Sequence, residues 1–156
     1  MKKIVSLIIL IVLISKSAIA QDTAKQLYEI KVITSVESIV SSGLGRSRLI
    51  STDDERNYEK FTSNQSEDST TRNKSKRKDI RVKNFEETKL LNFFNLGGIR
   101  FQNIAANDAL ISSKLTTMLS KGWELMFVTS AVESDAGHKD NNGIFITRYI
   151  FKRKMN

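Results

Sequence analysis

The sequence predicts a small α+β domain: an antiparallel sheet of three to five strands, one main helix packed on one face, and a long polar insertion. Three observations carry this prediction. Tyr28–Val36 alternates Tyr28, Ile30, Val32 and Val36 with more polar residues, the period of a half-buried strand. From Asn107 the apolar residues Ile111, Leu115, Met118 and Leu119 recur at three- and four-residue spacing, the stripe of an amphipathic helix. Finally, Trp123–Val132 and Ile144–Arg153 are rich in bulky and β-branched residues and flank a segment dense in turn formers, which reads as a hairpin with a long loop.

The first twenty residues stand apart. Lys2 and Lys3 precede the apolar run Ile4–Ile14, and Ala18-Ile19-Ala20 supplies the small-x-small pattern of a signal-peptidase site. The expected export signal is therefore 1–20, cleaved after Ala20, with a periplasmic or secreted product starting at Gln21. The run is shorter than the roughly 20 residues a membrane span needs, so no transmembrane span is expected after cleavage. The chain has no cysteine, which excludes a lipidated N-terminal Cys, disulfides and thiolate chemistry. Residues 21–156 are read as one domain with an insertion over 51–78.

Of the formal charge of +8, three lysines belong to the signal, which leaves +5. Arg72–Lys83 holds seven basic residues and one acid, so the rest is close to neutral. Directly before it, Ser51–Thr71 carries six acids and two bases. Adjacent blocks of opposite sign read as a solvated polyampholyte; the functional alternative is a polyanion or membrane-surface binder. The basic block lacks interleaved aromatics, so nothing points to specific nucleic-acid binding.

Taken in order, Tyr28–Val36 is the first strand, Ser41–Gly45 breaks it, and Arg46–Ile50 starts a second, weaker one. Ile80-Arg81-Val82-Lys83 reads as a basic edge strand. Asn84–Asn107 must contribute core, read as a short helix through Phe94, a Gly97-Gly98 turn and a short extended piece. The main helix is capped by Asn107 or Asp108 and closes at Lys121 and Gly122, where a left-handed residue is needed. Trp123 then plugs the core, with Glu124 on the opposite face of the strand. Ile144, Ile146 and Ile150 alternate with Phe145, Tyr149 and Phe151. Both faces of that strand are apolar, so both are covered in part or the aromatic face meets a partner.

Tyr28-Glu29-Ile30-Lys31-Val32, Gly122-Trp123-Glu124-Leu125 and Tyr149-Ile150-Phe151-Lys152-Arg153 together resemble a family of very small bacterial domains of unknown function. Its members open on Tyr-Glu-Tyr-Lys-Val, pass through one helix to Gly-Trp-Glu-Leu and close on a strand ending Lys-Arg. The resemblance covers the first strand and the last 50 residues, and implies a fold with no known activity.

No pattern in the chain specifies a reaction, and no cofactor is implied. His138 is the single histidine, so a multi-histidine metal site is excluded, and no Gly-x-Ser-x-Gly supports a serine hydrolase. Asp135, Asp140 and Asn142 are oxygen donors for an irregular Ca²⁺ site, although an EF-hand register puts His138 and Tyr149 where carboxylates belong. Gly43, Gly45, Arg46 and Arg48 form one anion-binding candidate. Arg72, Lys74, Lys76, Arg77 and Lys78 form another. Trp123, Gly122 and Tyr28 are read as structural. The expected function is non-enzymatic binding of a protein or cell-envelope component through the sheet edge or the aromatic face; the alternatives are a polyanion or membrane-surface binder through 72–83 and an enzyme of unrecognised type.

Overall fold

A computed structural model describes residues 27–39, 47–95, 97–133 and 143–155. The chain divides into two units, Met1–Glu29 with Lys154–Asn156, and Ile30–Arg153. In the first unit, the Met155 backbone N–H donates to the Leu27 carbonyl at 3.0 Å.

The second unit is built on a five-stranded antiparallel sheet with one main helix, an α+β fold. Its strands are β1 (Tyr28–Ser38), β2 (Arg48–Ser51), β3 (Glu86–Lys89), β6 (Glu124–Glu133) and β7 (Ile144–Lys154), in the order β3-β2-β1-β7-β6. A second sheet is a two-residue hairpin, β4 (Phe94–Asn95) with β5 (Gly98–Ile99). Gly98 turns it with φ +95°, a conformation that costs glycine little. β1 pairs β2 with Ser35 opposite Leu49, and β2 pairs β3 with Leu49 opposite Thr88. The Ile39 N–H donates to the Gly143 carbonyl at 3.1 Å, which sets β1 against β7. β6 pairs β7 from Glu124–Lys152 to Glu133–Ile144, with a bulge between Leu125 and Phe127.

Two short helical pieces, a 3₁₀ turn at Tyr58–Phe61 and helix α1 (Arg77–Ile80), lie in the long connection between β2 and β3. This connection replaces the expected edge strand at Ile80–Lys83. Arg56 holds it together by donating to the carbonyls of Ile80 and Arg81 at 3.3 and 3.1 Å. Asn73 donates to the carbonyl of Lys60 at 2.8 Å. The edge strand is instead the acidic Glu86–Lys89.

Helix α2 spans Phe101–Ser120, six residues longer at its start than the apolar stripe predicts. Its N-cap is Arg100, with no side-chain cap, so the Asn107 or Asp108 start expected from sequence is wrong. Capping residues are good evidence for a helix start, but here one of them sits mid-helix for another purpose. Nor does a short helix precede the Gly97-Gly98 turn: Phe94 and Asn95 are a strand.

The end of α2 follows the expected logic. Gly122 takes φ +79°, its N–H reaches the Leu119 carbonyl at 3.0 Å, and the Trp123 N–H reaches the Met118 carbonyl at 3.2 Å. These are the paired bonds of a Schellman ending, and Trp123 and Met118 are both in the core. Arg153 stacks its guanidinium 4.5 Å from the Trp123 ring centroid. The core comprises Ile33, Leu49, Leu90, Ile111, Met118, Trp123 and Phe151, with Leu115 and Tyr149 packed against it. Leu119, assigned to the same stripe from spacing, is 54% exposed.

Two expectations about sheet faces are corrected. The residues of β1 that meet the helix are Ile33, Ser35 and Glu37, all buried, while Ile30 and Val32 are exposed. On β7 the aromatic face, with Phe151 fully buried, turns inward, so it is not free for a partner. Tyr28, at the start of β1, is 42% exposed.

Candidate functional site

The helix face that carries Ile111 also carries Asn107, one turn earlier, and Asn107 is fully buried. Its Oδ1 accepts from the Leu91 N–H at 2.8 Å. Its Nδ2 donates to the Leu91 carbonyl and to Glu37 Oε2, each at 2.8 Å. The amide thus mimics a strand neighbour for Leu91 and uses its last proton on a carboxylate. Ser35 Oγ donates to Glu37 Oε1 at 3.4 Å. Burial pushes the Glu37 carboxyl above the usual range; the bonds from Asn107 and Ser35 oppose this, and the negative charge of Asp108 adds to it. Burial likewise raises the Tyr149 hydroxyl, opposed by a hydrogen bond with Ser35 and aided by the charges of Glu37 and Asp108.

A second polar group lies beside the first. Ser47 Oγ accepts from the Ser38 N–H at 2.9 Å and donates to Asn92 Oδ1 at 2.6 Å. Asn103, also on α2, donates to the Asn92 carbonyl at 2.8 Å. Together the two groups fasten Leu90–Phe93 between β1 and the helix. A carboxyl with a raised pKa can exchange protons, but both Glu37 oxygens are bonded and the residue is 6% exposed. The arrangement therefore secures a segment of chain and presents no reactive atom to a substrate.

At the rim, Glu86 accepts from Lys114 at 2.5 Å and from Ser51 Oγ at 2.7 Å. The hydrogen bond from Lys114, then that from Ser51, lowers its carboxyl to about 2. Lys31 pairs with Asp53, Arg48 with Glu87 at 2.6 Å, and Lys152 with Glu124 at 3.1 Å.

The other surface with functional potential is the face of the sheet turned away from α2. Counted from the Ile39–Gly143 bond, Val32, Ile150 and Phe127 form one row across β1, β7 and β6. Thr34, Arg148 and Thr129 form the next row, and Val36, Ile146 and Ala131 the third. Exposure reaches 42% at Val32, 57% at Ile30 and 62% at Phe127. All ten residues of β6 are exposed, on both of its faces. Arg148 is exposed at the centre of this surface and has no ion pair or hydrogen bond through its side chain among the described residues.

The sites expected from sequence are scattered. Arg48 lies on β2, engaged by Glu87 and by the Ser47 carbonyl at 2.7 Å. Gly43, Gly45 and Arg46 lie outside the described residues, as do Asp135, Asp140, Asn142 and His138. Arg72, Lys74, Lys76, Arg77 and Lys78 are exposed on the β2–β3 connection and form no ion pair among the described residues. A cavity of about 460 Å³ opens beside them, lined by Glu55, Arg56, Asn57, Lys60, Phe61 and Asp79. Its lining mixes both signs of charge and converges on no single chemistry. Among the described residues no three metal-ligating acids or histidines come together. No described helix is long and apolar enough to cross a membrane.

Sequence reasoning missed Ser35 and Glu37, polar residues in an alternating strand, and took Asn107 for a helix cap. One signal was present: Asn107 stands four residues before Ile111, on the buried stripe.

In comparisons with family models, with curated proteins and with solved structures, none matches this chain.

Proposed function

We propose that the chain is an exported, non-enzymatic domain that binds a protein or envelope component through the β6 edge and the open sheet face beside it. The observation that carries this reading is β6 itself: ten residues at the edge of the sheet, exposed throughout, with Leu125, Met126, Phe127, Val128 and Val132 among them. A long apolar edge strand offers unpaired backbone donors and acceptors, and an added strand satisfies them. Proteins that do not use such an edge blunt it with lysine, proline, brevity or a bulge; β6 has a bulge between Leu125 and Phe127, but beyond it Phe127–Val132 runs in regular register with no lysine or proline. Export is supported by the pattern of residues 1–20. The strand–helix–Gly-Trp-Glu-Leu–strand order supports placing the chain with the small domains of unknown function that it resembles.

The test is photo-crosslinking from Val128 and Thr129 in the intact cell envelope. A discrete adduct that disappears with Val128→Pro, while the purified variant stays folded, is the expected result. An adduct unaffected by that change refutes edge binding. Binding to anionic vesicles that requires Arg72–Lys83 and falls away at physiological salt would transfer the function to the basic segment.

A further inference from the structure

The centre of the open face is a cation. Arg148 has Thr34 and Thr129 on either side along its row. The aliphatic and aromatic row Val32–Ile150–Phe127 lies on one side of it, and Val36–Ile146–Ala131 on the other. Any partner that covers the apolar rows must cover Arg148 too. Covering a guanidinium with hydrocarbon alone removes its water and gives nothing back. Its planar fork of donors matches a carboxylate, which it can bind through two parallel bonds. The carboxylates already on this face near the rows, Glu87 and Glu124, are held by Arg48 and Lys152.

Resting on the binding function above, we propose that the open face takes a protein segment that lays aliphatic side chains on both apolar rows and sets one carboxylate, Asp or Glu, against Arg148. A second copy of this chain fits less well. Among the described residues, the carboxylate left on that face, Glu133, lies four residues along β6 from Thr129, roughly 13 Å away. Bringing it to Arg148 would slide the two sets of apolar rows out of register. A lipid surface fits less well again. Faces that enter a bilayer carry their cations at the periphery, where they reach headgroups; here the peripheral Arg48 and Lys152 are held by carboxylates, and a further cation, Arg148, stands in the middle.

The experiment is selection of displayed random peptides on the immobilised mature protein, followed by affinity measurement with one synthetic selected peptide. The selected sequences should place Asp or Glu between aliphatic residues. Replacing that carboxylate by its amide should weaken binding about tenfold or more, the scale for a charged hydrogen-bonded pair. Arg148→Gln should produce the same loss, and the two changes together should cost no more than either alone. Should Arg148→Gln fail to fold, Ile150→Asp on the neighbouring row provides the second variant and should abolish binding. Peptides without an acidic preference would overturn the assignment, and so would affinity indifferent to Arg148→Gln. Phosphatidylglycerol vesicles binding through Arg148, or a dimer that hides Arg148, would overturn it in favour of those partners. Peptides blocked by Val128→Pro but indifferent to Arg148→Gln would leave edge binding standing and overturn only this assignment.

Discussion

Asn107 offers the sharpest test of how this fold is held. Its amide is fully buried and makes three bonds of 2.8 Å, two to Leu91 and one to Glu37. Asn107→Leu keeps roughly the same volume but leaves the Leu91 N–H, the Leu91 carbonyl and one Glu37 oxygen without that partner in a site closed to water. Each stranded buried group costs about 1–3 kcal/mol. Some relaxation of Leu90–Phe93 will recover part of this, so the expected loss is about 3–5 kcal/mol. Urea unfolding followed by Trp123 fluorescence and by circular dichroism measures it, with the midpoint falling and the slope unchanged. Asn107→Ala should cost at least as much, because it adds a cavity. A loss below about 1 kcal/mol for Asn107→Leu would mean that the polar clamp is dispensable and that its three hydrogen bonds do not hold Leu90–Phe93 in place.

Four further outcomes are expected. Because burial raises the Glu37 pKa above 4.5, its contribution is fully present below that value and is lost as pH rises through the folded pKa. Glu37→Gln should flatten this decline and make the protein more stable than the wild type at neutral pH, measured as urea midpoints across pH. Glu86 has the opposite sign: its carboxyl, lowered to about 2, contributes above the ordinary carboxylate range and loses that contribution as pH falls towards 2. Lys114→Met should return its NMR titration towards 4.5 while changing stability by less than about 1 kcal/mol, since the pair is solvent-exposed. Trp123→Ala, which empties a core site under the Arg153 guanidinium, should cost about 3–5 kcal/mol in the same unfolding assay. Replacing residues 55–82 with a short Gly/Ser linker removes no buried side chain, so the melting temperature should hardly move; intact protein should be cut by trypsin first between Arg72 and Lys78.

What the sequence determined by itself is local. Gly122 and the Met118–Trp123 pair mark the helix end because a Schellman ending needs a left-handed residue and an apolar contact within a few positions. The strands at Tyr28, Glu124 and Ile144 follow from period-two alternation and β-branched content, which need no knowledge of the rest of the chain. Which face of a strand is buried is a different kind of fact. β1 alternates an apolar set, Ile30 and Val32, with a mixed set, Ile33, Ser35 and Glu37, and the pattern alone favours burying the first. The fold buries the second, because α2 brings Asn107 to bond Glu37 and because Leu49 and Phe151 close over Ile33. The same event turns the aromatic face of β7 inward and leaves its isoleucines, with Arg148 among them, on the open side. A polar residue can be buried only where a partner satisfies it, and here the partner is distant: Glu37 and Asn107 are 70 residues apart, beyond the reach of any local pattern.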